Sequence, residues 1–187
     1  MRITAGRFGG RALTTPRNEH VRPTSDKVRQ AIFNILEHRD FGFAFALEGA
    51  RVVDLFAGTG ALGLEALSRG AKYALFVDDA AESRALIREN VEGFGLTGAS
   101  KIWRRDASAL GALDTLGPFN LAFLDPPYRQ GLIPRALSGL RDGGWLVSPA
   151  VAVAEAAADE DIPPTDGFAL ADERVYGDTK VQFLRFG

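Results

Sequence analysis

Residues 52–63 have the sequence Val-Val-Asp-Leu-Phe-Ala-Gly-Thr-Gly-Ala-Leu-Gly. The short apolar run at its start predicts a buried strand, and the glycines that follow permit a tight turn into a helix. Strand, turn and helix in this order form the first half of a βαβ unit, whose strands pair in parallel. The stretch therefore predicts an α/β fold.

The rest of the chain continues this alternation. Strands are predicted over 51–56, 73–77, 101–104, 121–124, 151–155, 170–176 and 181–186, and helices over 61–69, 80–93 and 131–141. Ahead of them, residues 2–15 predict a hairpin around Gly9-Gly10, and Thr24 or Ser25 is placed to cap a further helix. We expect a Rossmann-like domain over 40–187, with a mostly parallel seven-stranded sheet and helices on both faces, and a hairpin-and-helix extension over 1–39.

Composition excludes several classes of protein. The 187 residues contain no cysteine, which excludes disulfides, thiolate metal sites and a cysteine nucleophile. No apolar run approaches 18 residues and residues 1–20 lack the apolar core of a signal peptide, so we expect a cytoplasmic protein. The two histidines, His20 and His38, are isolated, so no metal site is predicted. The small size favours a monomer.

Charge is distributed unevenly along the chain. Residues 1–39 carry a net charge of +5 and the remainder −7, and seven of the eight basic residues in the first segment are arginine. Arginine suits phosphate because its guanidinium forms paired hydrogen bonds, so the segment predicts contact with a nucleic acid. An ordinary solvated basic face is the alternative, and Arg29 fits that reading equally well. The candidate RNA contacts are Arg2, Arg7, Arg11, Arg22, Arg29 and Arg129.

The glycine-rich turn predicts a site for an adenosine-containing cofactor. Gly58, Gly60 and Gly63 match the G-x-G-x-x-G pattern, and Asp78 follows 20 residues after the first glycine, where a carboxylate accepts ribose hydroxyls. NAD and S-adenosylmethionine both fit this pattern. Asp54, just before the turn, would repel a pyrophosphate and suits the cationic amino acid end of S-adenosylmethionine. The candidate cofactor residues are Asp54, Phe56, Ala57, Gly58, Thr59, Gly60, Asp78, Asp79, Asp106 and Ala107.

Asp106 has two interpretations. It follows the strand predicted over 101–104, where its carboxylate could accept from the adenine amino group. A solvated loop acid explains it nearly as well.

A second turn predicts the reacting centre. The apolar run 121–124 is followed by Asp125, Pro126, Pro127 and Tyr128, which together offer a carboxylate, a rigid backbone, accessible carbonyls and an aromatic face. Proline fixes φ and removes an N–H donor, so the carbonyls can point into a site. This set suits a flat ring that bears an amino group, and we predict that all four residues are catalytic. A proline-stiffened turn without function is the alternative.

These motifs resemble a known family. Residues 54–66 and 125–128 are similar to class I methyltransferases that act on exocyclic amino groups. Ile3–Gly6, Gly10–Leu13 and Arg22–Arg29, followed by Phe33-Asn34, narrow the resemblance to the RsmD family of bacterial 16S ribosomal RNA guanine-N2 methyltransferases. The resemblance covers essentially the whole chain.

The resemblance carries specific expectations. It implies the class I fold, S-adenosylmethionine as cofactor, and as substrate the guanine conventionally numbered 966, in the small ribosomal subunit or its assembly intermediate. Asp125 and the Pro126 carbonyl would accept the two amino N–H groups, and Tyr128 would stack on the base. Members of the family often carry Glu at the ribose position, where this chain has Asp78 followed by Asp79. The sequence leaves open which of the two binds the ribose.

Three alternatives remain from the sequence. An adenine-N6 or protein glutamine methyltransferase uses the same turn, usually with Asn at the position of Asp125. An NAD-dependent oxidoreductase accounts for the glycines but leaves Asp54 and the Pro-Pro-Tyr turn unexplained. An RNA chaperone with a cofactor pocket but no turnover leaves Asp125 and Tyr128 without a role.

Overall fold

The computed structural model describes residues 1–17 and 24–187, and within them seven strands form one sheet. The strands are β1 (Arg51–Leu55), β2 (Tyr73–Val77), β3 (Ser100–Trp103), β4 (Phe119–Leu124), β5 (Leu146–Ala157), β6 (Phe168–Tyr176) and β7 (Thr179–Phe186). The helices are α1 (Asp26–His38), α2 (Ala61–Ser68), α3 (Ala81–Gly93) and α4 (Leu132–Asp142), with a 3₁₀ turn over Thr97–Ala99. The α/β architecture predicted from the alternation is confirmed.

The strand order is β3-β2-β1-β4-β5-β7-β6. The first five strands of this order pair in parallel, while β7 is antiparallel to both β5 and β6. The chain leaves β1 towards β2 on one side, and leaves β4 towards β5 on the other. The carboxyl ends of β1 and β4 therefore lie side by side at a switch in strand order, with Leu55 level with Leu124, and ligands bind at such points in open α/β sheets.

Each face of the sheet is covered by helices. Alternate strand residues, such as Val52 and Phe123, pack with Phe33 of α1, Leu64 of α2 and Ile87 of α3 in one fully buried cluster. The intervening residues face the other side, where they pack with α4 and Trp145 in a second cluster. This period-two division follows from strand geometry and confirms the prediction of helices on both faces.

The segment predicted as a hairpin over 2–15 contains antiparallel backbone pairing and is also bound to α2. An antiparallel bridge joins Arg2 and Ala12, and around it the Ile3 N–H donates to the Arg11 carbonyl and the Leu13 N–H to the Met1 carbonyl, each at 3.0 Å. The Thr4 and Ala5 N–H groups donate to Glu65, and the Arg7 N–H donates to the Ser68 carbonyl at 2.9 Å. The antiparallel pairing expected from the sequence is therefore present but short, and other N–H groups of the segment fix it to α2.

Two further features bear on the sequence predictions. Of the two proposed caps, Thr24 and Ser25, the structure shows Ser25 as the N-cap of α1, since its Oγ accepts from the Val28 N–H at 3.2 Å. Strand β5 is longer than the predicted 151–155 because it pairs with β7 along eight residues.

None of the helices in the described part of the chain is long and apolar enough to span a membrane.

Candidate active site

The Asp54 side chain, which projects from β1, anchors the helical end of the glycine-rich turn. This side chain, in β1, is 1% exposed, and its Oδ2 accepts from the Gly63 N–H at 3.0 Å. A Cβ at Gly63 would approach Phe76 Cε1 to 2.4 Å, so only glycine allows α2 to lie this close to the sheet. Burial raises the pKa of Asp54 well above its ordinary value, although the Gly63 hydrogen bond lowers it. Asp54 therefore stabilises the turn through a buried hydrogen bond to Gly63.

Asp78 is attached to the same turn from the end of β2. Its Oδ2 accepts from the Gly58 N–H at 2.9 Å and its Oδ1 from the Ala80 N–H at 2.9 Å. Asp79 is exposed, and its carbonyl accepts from Arg84. Of the two carboxylates, that of Asp78 is the one fixed against the glycine turn.

A small cavity of about 30 Å³ lies beside this turn. Phe56, Asp78, Asp79, Arg105, Asp106 and Ala107 line it. Phe56 has a φ of +56°, a conformation that is uncommon for a residue with a Cβ and often marks a functional position. Asp106 accepts from both the Ser108 N–H and hydroxyl, which lowers the pKa of its carboxyl. The structure thus brings together residues from the ends of β1, β2 and β3 that the sequence assigned to a cofactor.

The turn after β4 is also well anchored. Pro126 is buried and Pro127 is exposed, whereas Tyr128 is half-buried with its hydroxyl 3.2 Å from Thr179 Oγ1 at the start of β7. Asp125 Oδ2 is 3.3 Å from the hydroxyl of Thr24, which lies just ahead of α1. Four predicted residues therefore occupy the switch point beside the glycine turn.

Glu155 is a member of this site that the sequence analysis missed. It lies in β5, is 1% exposed, and its two carboxylate oxygens are 3.0 and 2.9 Å from Thr24 Oγ1. The pairing of β4 with β5 brings Leu124 level with Ala154, so Asp125 and Glu155 are neighbours one step further along. The available signal was an acid at the end of an apolar strand, on the same side of the sheet as Val153.

Burial perturbs the pKa of both acids, and the charge of Asp125 adds to the effect at Glu155. Burial raises the pKa of Asp125 from 3.8 to about 6, while the hydrogen bond from Thr24 lowers it. Burial also raises the pKa of Glu155 well above its ordinary value, and the neighbouring charge of Asp125 raises it further. Strongly shifted carboxyl groups in a cleft are typical of functional sites.

The exposed arginines of the N-terminal segment form a patch with two aromatic rings. The Arg7 guanidinium carbon is 4.6 Å from the centre of the Phe8 ring, and that of Arg11 is 4.3 Å from the centre of the Phe94 ring. Arg2 is exposed and donates to the Gly10 carbonyl at 2.7 Å. The roles of these arginines towards RNA stay predictions.

The structure corrects the predicted position of Arg29. The sequence placed it at an RNA phosphate or in solvent, but its side chain is fully buried and donates to Glu65 Oε2 at 3.2 Å and Asp26 Oδ1 at 2.8 Å. A buried, paired guanidinium is not available to a phosphate. Arg129 remains exposed and pairs with exposed Asp159 at 2.5 Å, and Arg22 lies outside the described residues.

Among residues 1–17 and 24–187, no group of three or more His, Cys, Asp or Glu side chains is arranged to hold a metal ion. His38 is exposed near the end of α1, with Nδ1 2.8 Å from the Asn34 carbonyl. His20 lies outside the described residues.

Comparisons with known proteins agree with this geometry. The family model described as "Conserved hypothetical protein 95" matches residues 1–185. The chain is 36% identical to ribosomal RNA small subunit methyltransferase D of Escherichia coli K12 over 95% of its own length and 85% of that protein. It is 30% identical to the protein of the same name from Haemophilus influenzae over 95% and 89% of the two chains.

Solved structures give the same result. The Escherichia coli protein yhhF superposes with a TM-score of 0.82 at 29% identity, covering 100% of this chain and 97% of its own. A hypothetical protein of Thermus thermophilus superposes with a TM-score of 0.73 at 30% identity, covering 98% of each chain. The fold is that of class I methyltransferases, and the chain belongs to the ribosomal RNA small subunit methyltransferase D family, as its sequence resemblance implied.

Proposed function

We propose that this chain transfers a methyl group from S-adenosylmethionine to the exocyclic N2 amino group of a guanine in 16S ribosomal RNA, at the position conventionally numbered 966. The observation that carries the proposal is the Asp125-Pro126-Pro127-Tyr128 turn at the switch point, beside the glycine turn that follows β1. The names of the relatives support an action on small-subunit ribosomal RNA.

The residues present fit S-adenosylmethionine. Asp78, fixed against the Gly58 N–H, is our candidate for the ribose hydroxyls, with Asp106 and Ala107 at the adenine. Buried Asp54 and its acidic neighbours favour a cationic ligand over a pyrophosphate. When bound, the cofactor supplies an electrophilic methyl group on a positively charged sulfur.

Asp125 has the chemistry that the amino group requires. The lone pair of a guanine amino group is delocalised into the ring, so the nitrogen is a weak nucleophile. When the amino group donates hydrogen bonds to Asp125 and to the Pro126 carbonyl, a pyramidal nitrogen is favoured. Asp125 takes the proton released on transfer. A carboxyl with a pKa of about 6 is mostly ionised at neutral pH and can still hold a proton briefly. Tyr128 stacks on the base.

RNA would reach this site with help from the exposed arginines. Arg2, Arg7, Arg11 and Arg129 are our candidates for phosphate contacts, with Arg22 in the same role outside the described residues. The target base must be unpaired or turned out of its stack, because the amino group is otherwise inaccessible. The substrate is the small subunit or its assembly intermediate, which makes the cytoplasm the expected location, and we expect a monomer.

The test is transfer of a labelled methyl group from S-adenosylmethionine to small subunits that lack the modification, to naked 16S RNA and to DNA. We expect N2-methylguanine in subunits, and we expect Asp125→Ala to bind the cofactor normally while transferring no label. Label on adenine, on protein or on DNA would overturn the choice of substrate. Full turnover by Asp125→Ala would overturn the role of this residue.

A further inference from the structure

One hydroxyl group lies between two carboxyl groups in the candidate active site. Thr24 Oγ1 is 3.3 Å from Asp125 Oδ2, and 3.0 and 2.9 Å from the two oxygens of Glu155. The three residues come from different parts of the chain: the segment ahead of α1, the turn after β4 and the interior of β5. Glu155 is 1% exposed, so its oxygens are shielded from bulk solvent.

The protons in this arrangement can be counted. A threonine hydroxyl has one hydrogen, so it donates to one carboxyl group only. If both carboxyl groups were ionised, one of the two contacts would join buried oxygens without a hydrogen between them, which is unfavourable. A proton on Glu155 gives each carboxyl group one hydrogen bond with Thr24 Oγ1, because Glu155 then donates to Thr24 from one of its oxygens while Thr24 donates to Asp125.

The surrounding charges favour the proton on Glu155 over Asp125. The charged groups that act on Glu155 are Asp125 and Asp54, which raise its pKa, and Arg29, which lowers it. Arg29 is already paired with Glu65 and Asp26, so its charge is largely neutralised. Asp125 is half-buried, whereas Glu155 is fully buried, and the deeper group is the more costly one to ionise.

We propose that Glu155 is a positioning residue that is held as a neutral acid, donates its proton to Thr24 Oγ1, and thereby directs the Thr24 hydroxyl to Asp125 Oδ2. The inference rests on the proposed function, in which Asp125 accepts from the amino group. The hydrogen bond from Thr24 to Oδ2 restricts rotation of the Asp125 carboxylate and leaves its other lone pairs for the substrate. Thr24 thus connects the N-terminal segment to the reacting centre.

The first test observes the proton itself and needs no substrate. Infrared spectra of the intact protein at pH 7.5, with and without ¹³C-labelled glutamate, separate a protonated glutamic acid from ionised ones. We expect one labelled carboxylic acid band in the wild type and in Asp125→Asn, and no such band in Glu155→Gln. Absence of the band from the wild type would overturn the proposal, whether or not the chain methylates RNA.

The second test measures kcat as a function of pH. The acidic limb of this profile reports the pKa of Asp125 in the enzyme–substrate complex. Glu155→Gln keeps a neutral donor to Thr24 and changes no charge, so its limb should coincide with that of the wild type. If Glu155 were ionised, the same variant would remove a buried negative charge beside Asp125 and move the limb to lower pH. A shift in that direction would contradict a neutral Glu155.

Loss of the donor should have a different effect. Glu155→Leu and Thr24→Val should each lower kcat about tenfold or more and leave the KM for S-adenosylmethionine unchanged. Thr24→Val should also move the limb to higher pH, because Asp125 loses the hydrogen bond that favours its ionised form, and Thr24→Ser should behave as the wild type in both respects. Equal losses in kcat and cofactor affinity would point to a packing role only. If the wild type methylates no RNA, the proposed function fails, and the infrared band still decides the state of Glu155.

Discussion

Asp125→Asn should make the folded protein more stable at neutral pH while it removes the proton acceptor. Burial raises the pKa of Asp125 to about 6 from 3.8. The folded chain therefore binds this proton more tightly than the unfolded chain, and stability falls as the pH rises between about 3.8 and about 6. Above that interval the penalty is constant, and the neutral amide of Asn does not incur it.

The size of the effect follows from the shift. A pKa difference of this size corresponds to about 3 kcal/mol when the group is ionised. Because Asp125 is half-buried, solvent screens part of the penalty, and we expect a gain of about 1–2 kcal/mol for Asp125→Asn at pH 8. The amide oxygen can still accept from Thr24, so the hydrogen bond at 3.3 Å is retained.

Urea denaturation followed by circular dichroism is the assay. The expected gain moves the unfolding midpoint at pH 8 upwards by roughly 0.5–1 M, and less than half of this gain should remain at pH 4.5. Asp114→Asn, at an exposed loop position, is the matched control and should change stability by less than about 0.5 kcal/mol at both pH values. Equal gains at the two pH values, or a loss at pH 8, would refute the reasoning.

Three further predictions concern the parts around this site. Arg7→Ala and Arg11→Ala should each weaken binding to subunit RNA and reduce the salt slope of the affinity by about one, measured by filter binding between 50 and 200 mM salt; an unchanged slope removes them from the interface. Glu65 is a fully buried carboxylate that accepts from two arginines and two backbone N–H groups, so Glu65→Gln should lower the free energy of unfolding by about 3–5 kcal/mol. A loss below about 1 kcal/mol in urea denaturation would contradict a stabilising role for this buried carboxylate. Gly63→Ala should cost about 1–3 kcal/mol and weaken S-adenosylmethionine binding by calorimetry, because the new Cβ would lie 2.4 Å from Phe76; normal binding would show that the turn adapts.

The sequence predicts the sheet well for a physical reason. Parallel strands covered on both faces must be apolar throughout, so β1, β2 and β4 stand out as short apolar runs separated by glycine turns and helical patterns. The residues at their carboxyl ends then fall at one edge of the sheet. This is why the sequence alone assigns the glycine turn and Asp125 to one site.

Arg29 and Glu155 could not be assigned in this way. A single arginine in an amphipathic helix is usually solvated, and the partner that buries this one, Glu65, lies 36 residues away on another helix. Alternation along β5 places Glu155 on the same side as Val153, but the pairing of β5 with β4 is what places it beside Asp125, and the sequence does not contain that register. Tertiary pairing, which local pattern does not encode, decides both.

The acids at the carboxyl ends of β1, β4 and β5 are unfavourable for folding but suited to the proposed reaction. The charge of Asp125 raises the pKa of both Asp54 and Glu155, and Arg29, the neighbouring cation, is committed to Glu65 and Asp26. A protein that only needed stability would replace such a cluster with apolar residues. A ligand that brings a positive charge and an N–H donor relieves the repulsion, so the same residues favour the cationic methyl donor. Once the methyl group has left, the cofactor has lost its sulfonium charge and this part of the attraction. We therefore expect the cluster to favour the reactant over the product, which would help release of the product after each transfer.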